Sequence, residues 1–427
     1  MPFRAFNLGD NINKAVEEAG YTEPTPIQVE AIPKIMAGHD LTGIAQTGTG
    51  KTAAFVLPIL SQLFRGGGSS QARVVRCLIV APTRELVVQI EENVLIYAKY
   101  LPARIATVFG GVSERPQMKA LRSGADLIIA TPGRLLDLVE QGYGDFSALR
   151  FLVLDEADRM LDMGFIPQIR RIMKILPAKR QTLLFSATLS KEIEVLTQEF
   201  QQRPKMVQIG RRSNPAETVT QLVYEVPSAL KPALLIHLLR DPAFNSVLVF
   251  TRTKHGADRI AKRLGGAQIT TATLHSNRSQ NQRLNALRAF KSGDVRVLVA
   301  TDIAARGIDV DGISHVVNFD FPMHPEDYVH RIGRTGRALA IGDAISFVTP
   351  DDRDALRSLE RFIGRGVVRK RSEDFDYQAT PPVSPERREN RSFTPRKAPT
   401  PGNRSAQPAG GDPRRHRGNS ERRYRGR

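Results

Sequence analysis

A glycine-rich segment near residue 50 has the residue types that bind the phosphates of a nucleotide. It reads Ala45-Gln46-Thr47-Gly48-Thr49-Gly50-Lys51-Thr52. Glycines let backbone N–H groups turn toward phosphate oxygens, the Lys51 ammonium would lie at the β- and γ-phosphates, and the Thr52 hydroxyl would bind Mg²⁺. Position 45 is alanine where the full phosphate-binding pattern has glycine, so the segment alone leaves open a purely structural turn.

Two adjacent carboxylates follow an apolar run about a hundred residues later. The run 151–154 precedes Asp155-Glu156-Ala157-Asp158. Ligands bind at the carboxyl ends of strands in an open parallel sheet, so Asp155 would bind Mg²⁺ and Glu156 would act as a base or orient an attacking water. An acidic cluster by itself is also typical of a helix N-cap or a solvated turn. Together with the glycine-rich segment, it predicts nucleotide hydrolysis.

Short apolar runs alternate with helical stretches in both halves of the chain. Such repeated units predict a parallel sheet covered on both faces. In the first half we expect strands at 77–80, 106–109, 127–130, 151–154 and 182–185, and helices at 84–98, 113–121 and 133–140. In the second half we expect strands at 247–250, 269–273, 295–300, 315–320 and 344–348, and helices at 256–264 and 279–290.

This repetition predicts an α/β fold with two parallel-sheet domains in tandem, over residues 1–208 and 218–370. The polar stretch around Gly210 would be the linker, at 209–217, and residues 371–427 would form a basic tail. Domains of roughly 100–200 residues are common, so a chain of 427 residues accommodates this arrangement.

The chain carries a net charge of +18, which indicates a polyanionic partner. Half of this excess lies in residues 379–427, which contain 13 Lys or Arg and only four Asp or Glu. The segment is rich in Pro, Gly and Ser and has few large apolar residues, so we expect it to be disordered. Its arginines, glycines and Tyr424 suit phosphate contacts and base stacking, which would add affinity for RNA. A tail that only improves solubility remains the alternative.

Composition excludes several classes of protein. Cys77 is the only cysteine, so we expect neither an internal disulfide framework, nor a disulfide-linked partner, nor a zinc site built on cysteines. No apolar run approaches the ~18 residues that span a bilayer, and the first residues lack a secretory leader. We therefore expect a cytoplasmic protein that does not act at a membrane.

The motifs quoted so far, in this order, resemble those of the DEAD-box RNA helicases, and most of all the bacterial RhlE-type branch. The resemblance extends from about Phe3 to about Val348. It implies two RecA-like domains that face each other across a cleft, with ATP, Mg²⁺ and RNA bound between them.

The resemblance also implies roles at the nucleotide. The segment 20–28 matches the family's Q motif, in which Gln28 would bond the adenine edge and Phe3 would stack on the ring. Without the resemblance, Gln28 is an ordinary helix residue and Phe3 a core anchor. In the second domain the segment 330–337 implies that Arg334 and Arg337 are arginine fingers, with His330 beside them in the catalytic set. Gly307 and Asp309 would lie at the ribose.

RNA contacts and their coupling to ATP are implied in the same way. Such contacts reach sugar and phosphate, so RNA binding should depend little on sequence. The implied RNA-binding residues are Arg84, Gly111, Thr131 and Arg134 in the first domain, and Arg252, Thr253, Gln280, Arg283 and Thr301 in the second. Asp158, Ser186 and Thr188 would couple hydrolysis to unwinding, although Ser186 and Thr188 could instead cap a helix. Ser276 follows His275 where the family usually has glycine, so this loop could differ.

The expected activity is ATP-dependent separation of short RNA duplexes or remodelling of RNA–protein complexes, with RNA-stimulated hydrolysis of ATP. A helicase directed to DNA and an RNA chaperone that anneals strands through its basic tail without ATP remain the alternatives. Ribosome assembly and RNA decay both fit the sequence, and no residue distinguishes them.

Overall fold

The computed structural model describes residues 2–46, 48–65, 74–209, 219–305, 312–335 and 342–379. All of them belong to one unit by their contacts, Met1–Ala379. We call residues 2–209 the first lobe and residues 219–379 the second lobe, because each of these two ranges contains one sheet.

The first lobe contains seven strands, and all their pairings are parallel. The strands are β1 (Leu41–Ile44), β2 (Cys77–Val80), β3 (Ile105–Val108), β4 (Leu127–Ala130), β5 (Phe151–Leu154), β6 (Gln181–Ser186) and β7 (Lys205–Gln208). Their order across the sheet is β3-β4-β2-β5-β6-β1-β7. The loops that leave β4, β2, β5, β6 and β1 therefore lie side by side along one edge of the sheet.

Helices cover both faces of the first sheet. They are α1 (Asp10–Glu18), α2 (Pro26–Met36), α3 (Lys51–Phe64), α4 (Arg84–Tyr97), α5 (Arg115–Ser123), α6 (Pro132–Glu140), α7 (Ala157–Asp162), α8 (Ile166–Ile175) and α9 (Lys191–Phe200). Successive side chains of a strand point to opposite faces. Phe151 and Val153 of β5 accordingly pack in one apolar cluster with α2, α3 and α4, whereas Leu152 and Leu154 pack in another with α6 and α8.

The second lobe repeats this plan. Its strands are β8 (Val219–Glu225), β9 (Val247–Thr251), β10 (Thr271–Leu274), β11 (Val297–Thr301), β12 (His315–Asn318), β13 (Gly342–Val348) and β14 (Val368–Arg369), in the parallel order β10-β11-β9-β12-β13-β8-β14. Its helices are α10 (Lys231–Leu238), α11 (Lys254–Gly266), α12 (Gln280–Lys291), α13 (Asp302–Ala305), α14 (Pro325–Ile332) and α15 (Arg353–Ile363).

The expected α/β class with two parallel-sheet domains in tandem is confirmed. Three predicted strands have the observed bounds, at 77–80, 127–130 and 151–154, and the other predicted elements lie within a few residues of the observed ones. The strands β1, β7, β8 and β14 were not predicted. In β7 only Val207 is buried, because the strand is at the edge of the sheet, and one buried residue leaves no alternating pattern to recognise.

The second lobe extends further along the chain than predicted. Residues 371–379 were assigned to the tail, but Phe375 and Tyr377 pack against the core of the second lobe, with ring centroids 5.0 Å apart. Phe375 also lies 5.6 Å from the His237 ring. These two aromatic side chains give the segment apolar surface to bury. The rest of the predicted tail, 380–427, and nearly all of the predicted linker lie outside the described residues.

No helix in the part of the chain that the structure describes is long and apolar enough to cross a membrane.

Candidate nucleotide and RNA site

An open cavity of about 670 Å³ lies at the carboxyl edge of the first sheet. It brings together residues from five separate segments of the sequence. Among those that line it are Tyr21, Gln28, Gly48, Gly50, Lys51, Thr52, Asp155, Glu156 and Arg334. Arg334 comes from the second lobe, so the cavity is shared by both lobes.

The glycine-rich segment connects β1 to α3. Gly48 and Gly50 have φ values of +81° and +86°, in the left-handed region that favours glycine. A Cβ atom on Gly50 would lie 2.5 Å from the Gln28 amide nitrogen, so a side chain has no room there. Lys51 is 7% exposed, and its ammonium donates a hydrogen bond to the Ala45 carbonyl, 2.8 Å away. The loop therefore holds a buried ammonium at the N-terminus of a helix, where anions bind.

Gln28 connects the start of α2 to the glycine-rich loop. Its amide nitrogen donates to the Gly50 carbonyl at 3.2 Å, and its amide oxygen accepts from the Thr25 backbone N–H at 2.9 Å. The side chain is 1% exposed. A contact between Gln28 and adenine would thus be transmitted directly to the phosphate-binding loop.

Tyr21 and Tyr97 form the aromatic wall of the cavity, and Phe3 does not line it. Phe3 is buried in the core and contacts Tyr21 edge to face, with ring centroids 6.3 Å apart. The Tyr21 hydroxyl lies 3.1 Å from the Tyr97 hydroxyl of α4. Phe3 therefore supports Tyr21, one of the two residues that form the wall. The sequence analysis missed Tyr21, although it lies next to Gly20 inside the quoted Q motif.

The carboxylates after β5 are buried against basic side chains. Glu156 has a φ of +53°, a strained conformation for a residue other than glycine that is common at functional sites. It accepts a hydrogen bond from Arg159 at 3.1 Å. Burial by itself raises the pKa of Glu156, but Arg159, Arg334 and Lys51 outweigh it and hold that pKa below its usual range. Glu156 is therefore ionised at neutral pH.

Asp155 has the opposite environment. Burial raises its pKa to about 7, against the opposing effect of Lys51 and with a further increase from Glu156. Its side chain lines the cavity together with Thr52. A buried carboxylate beside a hydroxyl, both facing a phosphate-binding loop, is a donor set that fits Mg²⁺, which usually takes one or two carboxylates and fills its other positions with phosphate oxygens and water.

Arg334 follows α14 and is 5% exposed. Its Nε donates to the His330 carbonyl at 3.3 Å, and both residues line a smaller adjoining cavity of about 170 Å³. The neighbouring Arg331 has a structural role, because its guanidinium forms two hydrogen bonds with the Asp302 carboxylate at 2.6 and 2.7 Å. The sequence analysis named Arg334 as an arginine finger and gave Arg331 no role.

Asp158 is bonded to the segment that follows β6, as the predicted coupling requires. Its Oδ2 accepts from the backbone N–H groups of Ala187 and Thr188 and from the Thr188 hydroxyl, at 3.0, 3.1 and 3.3 Å. The Ser186 hydroxyl donates to the Thr188 carbonyl at 2.8 Å. These bonds all lie within the first lobe.

The predicted RNA contacts of the first lobe cluster at the loops after β2, β3 and β4. Gly111 has a φ of +79°, and a Cβ atom there would lie 1.9 Å from Nη1 of Arg84, so this guanidinium lies directly against the glycine. Burial lowers the pKa of Arg84, and the charge of Arg283 lowers it further. Thr131 is the N-cap of α6, one turn before Arg134. The first-lobe arginines are therefore close to Arg283 of the second lobe.

Gln280 and Arg283 contact the first lobe directly. The Gln280 amide donates a hydrogen bond to a carboxylate oxygen of Glu85 at 3.0 Å, and Nη2 of Arg283 forms an ion pair with the same oxygen, also at 3.0 Å. Glu85 is 2% exposed. The sequence analysis gave Glu85 no role, because nothing in sequence identifies a partner 195 positions away. The two residues predicted to bind RNA thus also join the lobes.

The other second-lobe candidates lie at the ends of neighbouring strands. Thr301 of β11 pairs in register with Thr251 of β9. Arg252 and Thr253 follow Thr251 directly in the sequence. Arg252 is exposed, and the Thr253 hydroxyl caps α11 by accepting from the Gly256 N–H at 3.0 Å.

The serine that departs from the family pattern lies in an exposed part of its loop. Ser276 is exposed and has no positive φ. The loop is held by Asp258, which bonds His275 at 2.9 Å and Arg278 at 2.7 Å.

Two family models match the chain in the order of the two lobes. Residues 25–196 match the DEAD/DEAH box helicase model, and residues 230–339 match the helicase conserved C-terminal domain. Curated relatives match over nearly the whole described region. The chain is 43% identical to the ATP-dependent RNA helicase RhlB of Pseudomonas syringae pv. tomato, over 86% of this chain and 93% of that protein. The chain belongs to the DEAD-box RNA helicase family.

Relatives from eukaryotes match as well. The chain is 45% identical to the ATP-dependent RNA helicase vasa of Drosophila melanogaster, over 83% of this chain and 54% of vasa. Among solved structures, S. cerevisiae Dbp5 bound to RNA and ADP BeF3 has a TM-score of 0.79 and 28% identity, over 86% of this chain and 95% of that one. The two lobes of this helicase are accordingly RecA-like domains in tandem, as expected. The RhlE-type branch stays a prediction, since the similar bacterial proteins include RhlB and CshA.

Four predicted site residues of the helicase, Thr47, Gly307, Asp309 and Arg337, lie outside the described residues. Their roles stay predictions.

Proposed function

We propose that this helicase separates short RNA duplexes, or remodels RNA–protein complexes, by closing its two lobes on ATP and RNA together. The proposal rests on the position of Arg334. This residue of the second lobe lines the same cavity as Lys51 and Glu156 of the first lobe. A guanidinium supplied by one lobe to a phosphate held by the other makes hydrolysis depend on closure.

The buried charges support a division of roles at the γ-phosphate. Lys51 would neutralise the β- and γ-phosphates, and Arg334 would stabilise the charge that develops as the bond to the leaving group breaks. Glu156 has a lowered pKa and stays ionised, so it would orient the attacking water by accepting a hydrogen bond from it. Gln28 would select adenine and Tyr21 would pack against the base.

Thr52 and Asp155 would hold Mg²⁺. The ion would supply charge neutralisation on the phosphate oxygens. Asp155 would bind Mg²⁺ as the carboxylate, and because burial raises its pKa to about 7, binding of the ion would displace a proton from it.

Unsatisfied polar atoms at the contact between the lobes support RNA as the second ligand. Nη1 of Arg134, Nε of Arg283 and the amide oxygen of Gln280 are buried and have no hydrogen-bond partner among the described residues. The two guanidinium groups would donate to phosphate oxygens, and the Gln280 oxygen would accept from a ribose hydroxyl. A ribose hydroxyl bound in this way would favour RNA over DNA. A cytoplasmic location, where ATP and RNA meet, completes the proposal.

The proposal is tested by measuring ATP hydrolysis with RNA and DNA strands of one sequence, together with displacement of a short labelled strand. RNA should stimulate hydrolysis at least about tenfold more than DNA, because one missing hydrogen bond to a buried acceptor is worth about 1–3 kcal/mol. Strand displacement should require ATP. Equal or stronger stimulation by DNA would contradict the proposal.

A further inference from the structure

The last helix of the second lobe carries a row of arginines on its exposed face. Leu356, Leu359 and Ile363 of α15 are buried, and they pack with residues of β8 and β13. Arg353, Arg357 and Arg361 are spaced four residues apart on the opposite side and are all exposed. This spacing places successive guanidinium groups about 6 Å apart along the helix axis.

The row continues beyond the helix without acidic residues between its members. Arg365, Arg369, Lys370 and Arg371 follow and are exposed, and residues 361–372 contain no Asp or Glu. Residues 353–371 include seven basic residues and only two acidic ones, Asp354 and Glu360. Asp354 pairs with Arg357 and Glu360 pairs with Arg369, so both carboxylates are already used.

Two exposed apolar side chains belong to the same stretch of chain. Phe362 is 38% exposed and Val368 is 62% exposed. Phe362 directly follows Arg361 and lies about 100° from it around the helix axis, at the edge of the arginine row. An aromatic ring at the edge of a row of guanidinium groups can stack on a base while the arginines contact phosphates.

We infer that the surface formed by Arg353, Arg357, Arg361, Phe362 and Arg365, here called the α15 surface, is a second RNA-binding site. Its ligand is the phosphate backbone of an RNA segment that flanks the strand held between the lobes. This inference rests on the proposed function. The surface lies over β13 and β8, at the opposite end of the sheet from β10 and β11, which precede the predicted RNA contacts Gln280 and Thr301.

The chain beyond the described residues favours RNA as the occupant over an acidic protein. Residues 379–427 carry 13 Lys or Arg against four Asp or Glu, and they follow the α15 surface in sequence. Basic residues thus outnumber acidic ones both in 353–371 and in 379–427, with a short acidic patch at Glu373–Asp376 between the two stretches. Attraction to a polyanion increases with each contact, because each neutralised phosphate releases counterions.

The test uses the full chain with Arg353→Glu, Arg361→Glu and Arg365→Glu combined. None of these three arginines has an ion pair among the described residues, so their loss breaks none. The matched control reverses three exposed lysines of the first lobe, Lys174→Glu, Lys179→Glu and Lys191→Glu, and changes the net charge by the same amount. The RNA probes are a single strand of about 10 nucleotides and the same strand extended by a duplex of similar length.

For the extended RNA, the arginine variant should raise both Kd and the KM for RNA at least about tenfold relative to the control. The slope of log Kd against log salt should fall by about 2, which is the loss of two to three phosphate contacts. Affinity for the short strand and kcat at saturating RNA should stay within about twofold of the control.

Equal affinities of the two variants for the extended RNA would overturn the inference. Unchanged RNA affinity together with lost binding of poly-glutamate would also overturn it and assign the surface to an acidic protein. The proposed function is tested separately. It would be refuted if RNA did not stimulate ATP hydrolysis by the wild-type protein.

Discussion

Glu85 of the first lobe and Gln280 of the second are joined by a hydrogen bond of 3.0 Å between two buried side chains. Arg283 forms an ion pair with the same carboxylate oxygen, so one acid of the first lobe pairs with two residues of α12. Arg84, which precedes Glu85, lies against Gly111. One short segment therefore contacts both the second lobe and a predicted RNA contact of its own lobe, which links RNA binding to closure.

Glu85→Gln should weaken the coupling between ATP and RNA. The amide keeps the shape of the side chain but leaves the Arg283 guanidinium without its carboxylate, and a hydrogen bond to a charged group contributes about 1.5–3 kcal/mol. We expect the KM for RNA to rise about tenfold or more, with ATP affinity in the absence of RNA unchanged. Glu92→Gln, an exposed change on the same helix, is the control. An unchanged effect of RNA on ATP affinity would show that Glu85 does not couple the two ligands.

Gly111→Ala should weaken RNA binding through the displacement of Arg84. The new Cβ atom would lie 1.9 Å from Nη1 of Arg84, so the guanidinium must move. Loss of a charged contact to phosphate should raise the Kd for RNA about tenfold while leaving the KM for ATP unchanged. Gly142→Ala is the matched control, because Gly142 also has a positive φ, +83°, but nothing lies within 4 Å of its Cβ position. Equal RNA affinities in the two variants would rule out the Arg84 contact.

Glu156→Gln should stop hydrolysis while ATP and RNA remain bound. The neutral amide keeps hydrogen bonds in the cavity but cannot orient water as an ionised carboxylate does, and we expect kcat to fall at least about 10²-fold. Filter binding of ATP and anisotropy of labelled RNA should match those of the surface variant Glu192→Gln. Wild-type RNA-stimulated hydrolysis in Glu156→Gln would assign the orientation of water to another residue.

Asp126→Asn should destabilise the first lobe in a pH-dependent way. Burial acts to raise the pKa of Asp126, but hydrogen bonds from Arg104 and Arg76 outweigh it and hold that pKa below its usual range. The carboxylate therefore stabilises the fold above its unfolded pKa of about 3.9, and this contribution is lost as the pH falls through the folded pKa. At pH 7 the variant should lose about 2–3 kcal/mol of unfolding free energy, because it leaves buried guanidinium charge unpaired.

The measurement for Asp126→Asn is urea unfolding of variant and wild type between pH 3 and pH 7. The difference should shrink as the pH falls below about 4. Glu199→Gln, which breaks the exposed pair with Arg170, should cost less than about 1 kcal/mol at every pH. A difference for Asp126→Asn that does not change with pH would mean that the carboxylate charge is not the stabilising element.

The parts of the fold that could be predicted are those with the strongest local pattern. Strands such as β2 and β5 are four-residue apolar runs in the centre of the sheet, and their bounds were predicted without error. The edge strand β14 has two exposed residues and exists only because it pairs with β8. Pairing of that kind is a tertiary property, and no local pattern reveals it.

Within the site, sequence predicted which segments meet but not how each side chain is used. The resemblance named Arg334 of the segment 330–337 and gave Arg331 no role; in the structure Arg331 is bonded to Asp302 and Arg334 lines the nucleotide cavity. For the adenine ring the resemblance named Phe3 and left out Tyr21. The packing of Phe3 into the core, with Tyr21 at the cavity, depends on contacts that the spacing of residues does not contain.

The central claim is that Arg334 makes hydrolysis depend on closure of the two lobes. Its most direct test is the ratio of kcat with saturating RNA to kcat without RNA, measured for wild type, Arg334→Ala and the exposed second-lobe control Arg259→Ala. We predict that Arg334→Ala loses at least about 10³-fold of the RNA-stimulated rate, retains ATP and RNA binding, and has a ratio near one. A variant Arg334→Ala that keeps the wild-type ratio would contradict the account.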